Sequence, residues 1–394
     1  MEGKKCVGIL TSGGDAPGMN AAIRAVTRAA IYNGFDVKGI MRGYKGLITD
    51  EIIPFQTQNV SNIIQQGGTI LKTARCEEFR TPEGRKIAYD NIIKHGISAL
   101  VVIGGDGSLT GARIFASEYN FPIVGVPGTI DNDLFGTDHC PGFASAAKYI
   151  ATSCMEVYQD ARVYDTGMVC IIEIMGRHAG WLAASCCVTG DVDLVVLPEI
   201  DFDKEAFLAE VKKKFDEKGE CYIVVSEGAH YADGTYLSAG DTANDGFAHA
   251  VLGGAGLQLK QMIIDSGIVP RGVVQDLSRA ARSSNFAQSL TDVTEAYELG
   301  MSAHMRSANP AFTAQVVGIE RETDEAGNYC ARYFAKPACE FANFVKHFPT
   351  EWILPNYQGI TQEAIDYFKP LMAGEPKLIM DGAVPATIVP FNKR

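Results

Sequence analysis

The stretch CVGILTSGGDAPGMN, residues 6–20, decides the fold class. Residues 6–10 are apolar or small, residues 11–18 form a polar segment with three glycines, and a helix-period segment runs over residues 20–32. A short run that is apolar at every position is typical of a strand buried on both faces of a parallel sheet. A strand, a glycine loop and a helix in this order predict a βα unit.

The same alternation continues along the chain. The predicted strands are residues 6–10, 99–103, 123–126, 168–174, 194–197, 222–225 and 273–274. The predicted helices are residues 20–32, 85–94, 109–119, 144–160, 204–218, 248–264 and 291–305. Because parallel βαβ units take right-handed crossovers, a series of them builds a doubly wound sheet. The predicted fold class is therefore α/β.

The chain length predicts more than one domain. Its 394 residues exceed the usual domain length of roughly 100–200 residues, which favours two doubly wound, mostly parallel-sheet domains. The chain has no internal repeat and no low-complexity linker, so topology sets the expected break near Cys140-Pro141-Gly142. The predicted domains are residues 1–141 with about 277–320, and residues 142–276 with about 321–394.

Composition and charge exclude several classes of protein. Hydrophobic residues make up 46% of the chain, which is typical of a globular protein and not of a disordered one. With 35 basic and 47 acidic residues the net charge is -12, so a general attraction to nucleic acid or to an anionic membrane is not expected. No apolar window approaches the ~20 residues of a membrane span, and no secretion signal opens the chain. These features predict a soluble, cytoplasmic protein.

The ten cysteines form no CxxC pair, and Cys186 and Cys187 are adjacent. This spacing predicts reduced, mostly buried thiols rather than a disulfide framework. The seven histidines, including His178, are expected to be hydrogen-bonded structural residues.

Polar, glycine-rich segments follow four of the predicted strands, at residues 11–18, 104–108, 127–133 and 175–178. In doubly wound sheets, ligands bind beyond the carboxyl ends of the strands. Gly13-Gly14 and residues 104–107 could each hold phosphate on backbone N–H groups. One such glycine pair alone is more typical of a tight turn, but two favour a phosphate site, and neither matches the Walker or GxGxxG pattern.

Three aspartates lie in these loops, namely Asp106, Asp131 and Asp133. Hard carboxylate oxygens near phosphate point to Mg²⁺. Asp131 and Asp133 are two residues apart, so in an extended segment they would project to the same side, one toward a hydroxyl and the other toward the metal. An Asx-rich turn is the alternative interpretation. Together, the acids and the glycine loops favour phosphoryl transfer.

Four arginines lie near predicted loops or strand ends: Arg75, Arg177, Arg271 and Arg279. Taken singly, each is more typical of a solvated surface arginine. As a group, they could supply the local cations that an anionic ligand needs in an acidic chain.

Four segments jointly resemble the 6-phosphofructokinase family: LTSGGDAPGMN at 10–20, GGDGS at 104–108, PGTIDND at 127–133 and MGR at 175–177. The resemblance is clear over about residues 5–230, weaker as far as Pro310, and fades beyond. It implies transfer of a phosphoryl group to the 1-hydroxyl of fructose 6-phosphate, giving fructose 1,6-bisphosphate in glycolysis, with Mg²⁺ and either ATP or inorganic pyrophosphate.

The resemblance also implies residue roles. Asp131 falls on the catalytic base, with Thr129 at the reacting end of the sugar, while Asp106 and Asp133 fall on the metal side. Arg177 and Arg75 resemble the cations that offset charge on the moving phosphoryl group. The implied donor-binding residues, in the first predicted domain, are Gly13, Gly14, Tyr44, Arg75, Cys76, Gly105, Asp106, Gly107 and Ser108. The implied substrate-binding residues, which would hold the sugar phosphate in the cleft, are Thr129, Ile130, Asp131, Met175, Gly176, Arg177, Glu227, Arg271 and Arg279.

Two positions bear on the donor. Pyrophosphate-dependent members typically carry aspartate at the position of Gly107 and lysine at that of Gly128, so two glycines leave room for ATP. Against that, MGRHAGW at 175–181 resembles a subgroup with many pyrophosphate users. We expect ATP, with pyrophosphate as the alternative.

The chain departs from the family pattern at several positions. An arginine that reaches a neighbouring subunit's sugar phosphate is replaced by Met168, and the histidine of a His-x-x-Arg segment is replaced by Asp276. Arg24 and Arg28 match effector-site positions, but Thr57 stands where another arginine is expected, so effector control is not predicted. The family is oligomeric, which implies a homotetramer or homodimer.

Two further hypotheses come from other classes. NAD and lipid kinases share a Gly-Gly-Asp-Gly loop but lack the PGTIDND and MGR segments. A non-catalytic sugar-phosphate or nucleotide sensor would keep the fold and lose the chemistry, which the presence of Asp106, Asp131 and Arg177 disfavours. Five aromatic residues in the C-terminal part are expected to pack rather than to bind a ligand: Phe341, Phe344, Phe348, Trp352 and Tyr357.

Overall fold

The computed structural model describes residues 4–163, 167–238, 254–341 and 344–387. Its strands are β1 Cys6–Ser12, β2 Asp36–Ile40, β3 Ile52–Phe55, β4 Ala99–Gly104, β5 Ile123–Pro127, β6 Met168–Ile174, β7 Leu194–Val196, β8 Glu220–Ser226, β9 Gly272–Asp276, β10 Gln315–Thr323, β11 Tyr329–Pro337, β12 Met380–Asp381 and β13 Val384–Pro385. Its α-helices are α1 Met19–Tyr32, α2 Tyr44–Ile48, α3 Pro82–Lys94, α4 Asp106–Tyr119, α5 Phe143–Ala161, α6 Trp181–Ser185, α7 Lys204–Lys218, α8 Ala255–Asp265, α9 Leu290–Ser307 and α10 Gln362–Leu371.

The larger sheet has seven strands in the order β11-β10-β5-β4-β1-β2-β3. Its inner pairs are parallel, whereas β3 and β11 are antiparallel to their neighbours at the two edges. Alternate residues of β1 enter different hydrophobic clusters, Val7 and Ile9 on one face and Cys6 and Leu10 on the other. This arrangement is why the strand is apolar at successive positions.

The smaller sheet has four parallel strands in the order β7-β8-β6-β9. One acid, Glu173, lies buried within the apolar strand β6. Its carboxylate accepts hydrogen bonds from the backbone N–H groups of Gly254 and Gly256, at 2.8 and 3.0 Å, at the start of α8. A carboxylate at a helix N-terminus meets unpaired N–H groups and the positive end of the helix dipole, so this buried charge is compensated.

The predicted α/β class and the seven predicted strands are confirmed. Strands β2, β3, β10, β11, β12 and β13 were not predicted. The helix predicted over 248–264 is described only from Ala255, because residues 248–253 lie outside the described ranges. The β10–β11 hairpin belongs to the larger sheet and extends it to Pro337, past the boundary expected near residue 320. The division into two domains stays a prediction.

Two further expectations concern the whole chain. All ten cysteines are free thiols, seven of them buried, as the spacing predicts. Among the described residues, no helix combines the length and the apolar character that crossing a bilayer requires.

Candidate active site

The first two glycine segments come together at the carboxyl ends of β1 and β4. Gly13 has a φ of 87°, which a glycine adopts without strain, and a β-carbon there would lie 3.3 Å from the Ser108 hydroxyl. Helix α4 begins at Asp106, three residues before the predicted start, so part of the second glycine segment is its first turn. This helix N-terminus lies beside the exposed Gly13-Gly14 pair, as a phosphate cradle requires.

Two of the proposed donor residues, Tyr44 and Cys76, belong to the hydrophobic cluster beside this cradle. Tyr44 is buried, and its hydroxyl donates to the Ser108 carbonyl at 2.6 Å while its ring stacks on Phe79. Cys76 is half-buried against the same cluster, and burial raises the pKa of its thiol. The Arg75 side chain is exposed.

The loop after β5 carries the proposed base. Its two ends are Thr129, which is half-buried, and Asp133, with Ile130 buried between them. The Asp131 N–H donates to the Thr129 hydroxyl at 3.2 Å. The expected extended conformation is wrong, because Asn132 adopts a φ of 55°, and its side-chain oxygen accepts from a buried backbone N–H at 3.0 Å. Asparagine tolerates this left-handed conformation better than most residues, so it shapes the turn between the two acids.

Burial raises the pKa values of the acids of this cleft. Withdrawal from water raises the pKa of Asp131, and the guanidinium groups of Arg282 and Arg177 act in the opposite direction. Burial also raises the pKa of Asp133, and the negative charges of Asp131 and Asp106 raise it further. Carboxyls with raised pKa values in a cleft are typical of sites that bind a cation or move a proton.

The smaller sheet contributes the loop after β6. Gly176 has a φ of 145°, and its carbonyl accepts from the Ser226 hydroxyl at 2.6 Å and from the Gly228 N–H at 3.2 Å. These bonds set Arg177 beside Glu227. Burial and the Asp131 charge raise the pKa of Glu227 to about 6, while the Arg177 charge lowers it. The carboxyl of Glu227 therefore faces Asp131 across the cleft, with Met175 half-buried nearby in the same loop.

Two of the positions named above lie away from this cluster. Arg271 is exposed and directly precedes β9, while Met168 is buried at the start of β6. Since Val169 pairs with Gly272, these two residues lie at the amino ends of adjacent strands, opposite the cleft. Arg279 is exposed beyond β9.

Sequence reasoning missed Arg282, whose charge acts on Asp131. It ends the short 3-10 turn Ala280–Arg282, and its guanidinium lies near Gly14. The sequence signal that could have indicated Arg282 is a second arginine three residues after Arg279. The sequence does not reveal the path of this segment, so the signal was not used.

The C-terminal part reaches the same loops. The Lys346 N–H donates to the Asp133 carbonyl at 2.8 Å, and the Trp181 indole N–H donates to the Lys346 carbonyl at 2.9 Å. Next to it, the His347 ring Nδ1 lies 2.9 Å from the carbonyl of His178, which is itself exposed. This segment therefore ties the loop after β5 to the loop before α6.

The aromatic residues of this part mostly pack. Phe341, Phe348 and Tyr357 are buried and Trp352 is half-buried, but Phe344 is exposed.

The donor-selectivity positions differ in their surroundings. Nothing lies within 4 Å of a β-carbon placed on Gly107, which is exposed. A β-carbon on Gly128 would lie 3.1 Å from Ile103 and 3.3 Å from Met19. Space for a side chain is therefore open at residue 107 and filled by core residues at 128.

The acids fit Mg²⁺ bound together with phosphate. Among the described residues, no three acids, histidines or cysteines are clustered closely enough to hold a metal alone. Mg²⁺ usually takes one or two carboxylates and completes its shell with water and substrate phosphates. Asp106 and Asp133 suit that role, since the Asp106 charge already raises the pKa of Asp133.

Arg24, one of the two arginines that match effector-site positions, has a structural contact. Arg24 donates to the Val60 carbonyl at 2.6 Å, and burial lowers its pKa.

Two mostly parallel sheets, with glycine loops and carboxylates at the strand ends between them, define an α/β protein with an acidic ligand cleft. A family model described as Phosphofructokinase matches residues 6–299, and the chain belongs to that family. The segments at the cleft all fall within the matched range.

Curated relatives match the N-terminal part. The chain is 55% identical over 236 residues to "ATP-dependent 6-phosphofructokinase 2" of Bacteroides thetaiotaomicron, covering 58% of this chain and 72% of that protein. It is 51% identical over 198 residues to "ATP-dependent 6-phosphofructokinase" of Thermoanaerobacter sp. (strain X514), covering 50% of this chain and 61% of that protein.

Solved structures match over nearly the whole chain. The pyrophosphate-dependent phosphofructokinase of Marinobacter aquaeolei has a TM-score of 0.85 and 29% identity, covering 97% of this chain and 95% of that one. The pyrophosphate-dependent phosphofructokinase of Nitrosospira multiformis has a TM-score of 0.87 and 25% identity, covering 98% and 96%.

Proposed function

We propose that this chain is an ATP-dependent 6-phosphofructokinase, which transfers the terminal phosphoryl group of ATP to the 1-hydroxyl of fructose 6-phosphate. The observation that carries the proposal is the position of Asp131, which lies between the glycine loops of one sheet and Arg177 and Glu227 of the other. A carboxylate placed between a phosphate cradle and guanidinium groups can take a hydroxyl proton while the cations offset the charge of the phosphoryl group.

Each half of the cleft has its own part in this proposal. The N–H groups of the Gly13-Gly14 pair and of the first turn of α4 hold the donor phosphates on the larger sheet. Met175, Gly176 and Glu227 orient the sugar phosphate on the smaller sheet, and Thr129 lies at its reacting end. Catalysis then depends on positioning and electrostatic stabilisation. Arg271, being remote from the cleft of this chain, has no role in it here.

Asp106 and Asp133 would hold Mg²⁺, which when bound neutralises charge on the donor phosphates. We place the enzyme in the cytoplasm as a homotetramer or homodimer, as the oligomeric family implies. Light scattering of the purified protein tests the oligomeric state.

Pyrophosphate is the second candidate donor. The solved structures that match 97% and 98% of this chain are named as pyrophosphate-dependent enzymes. ATP is favoured because the named curated relatives, at 55% and 51% identity, are ATP-dependent, and because Gly107 faces open space.

The test compares both donors on the purified chain with fructose 6-phosphate and Mg²⁺. We expect fructose 1,6-bisphosphate with ATP, at a kcat/KM at least about tenfold above that with pyrophosphate, a difference of about 1.4 kcal/mol. A higher rate with pyrophosphate would reassign the donor. Ligand binding without product from either donor would support a sensor instead.

The Gly107→Asp variant sharpens this test. A carboxylate would enter the open space beside the donor, so kcat/KM for ATP should fall at least about tenfold. Ser117→Asp, on the exposed part of the same helix, is the matched control and should leave kcat/KM for ATP unchanged.

A further inference from the structure

Arg282 reaches the cleft from a segment that no motif singles out. Its guanidinium carbon and Nη2 both lie 3.9 Å from the position of a β-carbon on Gly14. Gly14 has no such atom, so this space beside the first glycine loop is open to a ligand. Of the two guanidinium groups that face Asp131, Arg282 has the stronger electrostatic effect on it.

The backbone around Arg282 is held firmly against the donor side. The Arg282 carbonyl accepts from the Gly68 N–H at 3.2 Å, and the Asn285 side-chain oxygen accepts from the Gly67 N–H at 2.9 Å. The neighbouring Ala281 is fully buried. Arg282 therefore presents its side chain from a fixed turn.

The loop that contains Gly67 and Gly68, which the Arg282 turn contacts, is itself hydrogen-bonded to the first glycine segment. Buried Asn20, at the start of α1, donates to the carbonyls of Gln66 and Gly67 and accepts from the Ile70 N–H at 2.8 Å. The same asparagine belongs to the segment that carries Gly13 and Gly14. Arg282 and the phosphate cradle are thus held in register by shared hydrogen bonds.

Apart from its effect on Asp131, the charge of Arg282 has no acidic partner in the described part of the chain. In the described part of the chain, no carboxylate lies within ion-pair distance of its guanidinium. A fixed guanidinium beside exposed backbone N–H groups is the arrangement that binds a phosphate bidentately.

We propose that Arg282 is a catalytic residue, whose guanidinium binds the phosphoryl group as it passes from donor to sugar. This rests on the proposed function. In the step, the sugar 1-oxygen forms a bond to the terminal phosphorus of ATP, and the bond from that phosphorus to the bridging oxygen breaks. The electron pair of the broken bond leaves with ADP, and the hydroxyl proton passes to Asp131. Arg282 stabilises the charge on the transferred group.

The experiment compares Arg282→Ala and Arg282→Lys with Arg332→Ala, at an exposed arginine on β11 that has no part in the proposed site. We expect Arg282→Ala to lower kcat by about 10²-fold or more, as removal of a charge-stabilising donor does. Arg282→Lys keeps the charge without the fork and should lose less. KM for fructose 6-phosphate should stay within threefold of wild type, and the unfolding temperature should be unchanged.

A second readout separates contact with the phosphate from a structural role. Free guanidinium ion at millimolar concentration should restore part of the kcat of Arg282→Ala and none in Asp131→Asn. The inference is overturned if Arg282→Ala keeps kcat within threefold, or if Arg332→Ala loses as much. Should Arg282→Ala unfold, a kcat of Arg282→Lys equal to wild type would overturn it. An inactive wild-type chain would reject the proposed function, whereas active wild type with active Arg282→Ala rejects only this role.

Discussion

Two groups of acids lie close together in the chain and differ in how their charge is compensated. In the cleft, the pKa values of Asp131, Asp133 and Glu227 are all raised. A few residues later, the pKa of Asp138 is lowered to about 2, because the bonded His139 and nearby cations outweigh the effect of burial. Burial acts on both groups, so the number of partners decides the sign.

The second group, which we call the His139 cluster, consists of Asp138, His139, Glu295, Arg321 and Tyr329. The ring nitrogens of buried His139 lie 2.8 Å from Asp138 and 2.5 Å from Glu295. Tyr329 donates to Glu295 at 2.6 Å, and Arg321 donates to Asp138 at 3.2 and 3.3 Å. The cluster joins α9 and the β10–β11 hairpin to the loop that follows the cleft. The charges of the His139 cluster are therefore stabilised by partners within the protein, whereas the pKa values of the cleft acids stay raised.

The comparison predicts opposite responses when one charge is removed, and the largest effect is expected in the cleft. Asp131→Asn should lower kcat by about 10²–10⁴-fold, because a positioned general base is lost. The unfolding temperature should stay the same or rise, since a poorly compensated buried charge is gone. Turnover and thermal unfolding measured on one preparation check both parts, and near-normal turnover would contradict the role of Asp131.

Removing a charge from the His139 cluster should instead destabilise the fold. Glu295→Gln leaves His139 and Tyr329 with a weaker acceptor, so the free energy of unfolding should fall by about 3 kcal/mol, as for a broken buried ion pair. Urea unfolding measures this loss. Glu298→Gln, exposed on the same helix, is the control and should change little. A folded Glu295→Gln with kcat reduced more than tenfold would break the proposed separation of roles.

The cluster also predicts a pH dependence of stability. Burial alone would lower the pKa of His139, but Glu295 and Asp138 outweigh it and raise the pKa to about 9. A group whose pKa is higher in the folded state stabilises fully below its unfolded value of about 6.5, and this stabilisation is lost as the pH rises through 9. The free energy of unfolding should thus fall between pH 6.5 and 9.5, by up to roughly 3 kcal/mol.

His139→Gln removes the titrating ring and should flatten this part of the stability profile. Urea titrations of both proteins at several pH values provide the measurement. An equally steep fall in the variant would show that another group is responsible.

What the sequence predicts well in this molecule is local. The glycines and acids of the four loops directly follow apolar strands, so the rule for strand ends places Gly13, Asp106 and Asp131 at the carboxyl ends of one sheet and Arg177 at those of the other. The turn at Asn132 was not predicted, because an asparagine between two aspartates is compatible with an extended or a left-handed conformation.

The elements that sequence reasoning missed depend on distant partners. Strands β10 and β11 expose polar residues on one side, and their place in the larger sheet depends on pairing with β5. Arg282 reaches the cleft only because its turn docks on Gly67 and Gly68, more than two hundred residues earlier. Lys346 likewise meets the loop after β5 across the fold. A linear pattern contains no signal for such contacts.

Lys346 lies between the two groups of acids, and its replacement should have the smallest effect. Its ammonium donates to the carbonyls of Thr137, at 3.3 Å, and Asp138, and lies 4.6 Å over the Trp181 ring. Burial lowers the pKa of Lys346, because withdrawal from water disfavours its charge. This cost of burial partly offsets the stabilisation that its contacts provide. Lys346→Met keeps the length of the side chain and should reduce the free energy of unfolding by about 1–2 kcal/mol.

The matched control is Lys336→Met, an exposed lysine whose ammonium lies 4.8 Å over the Phe334 ring and which is expected to matter little. Because Lys346 also holds the Asp133 carbonyl through its backbone N–H, which methionine retains, kcat should fall less than tenfold. Urea unfolding and turnover of both variants give the measurement. A loss of kcat as large as that of Asp131→Asn would mean that the Lys346 charge acts on the cleft itself. Lys346 would then belong to the catalytic site and not only to the contacts that stabilise the fold.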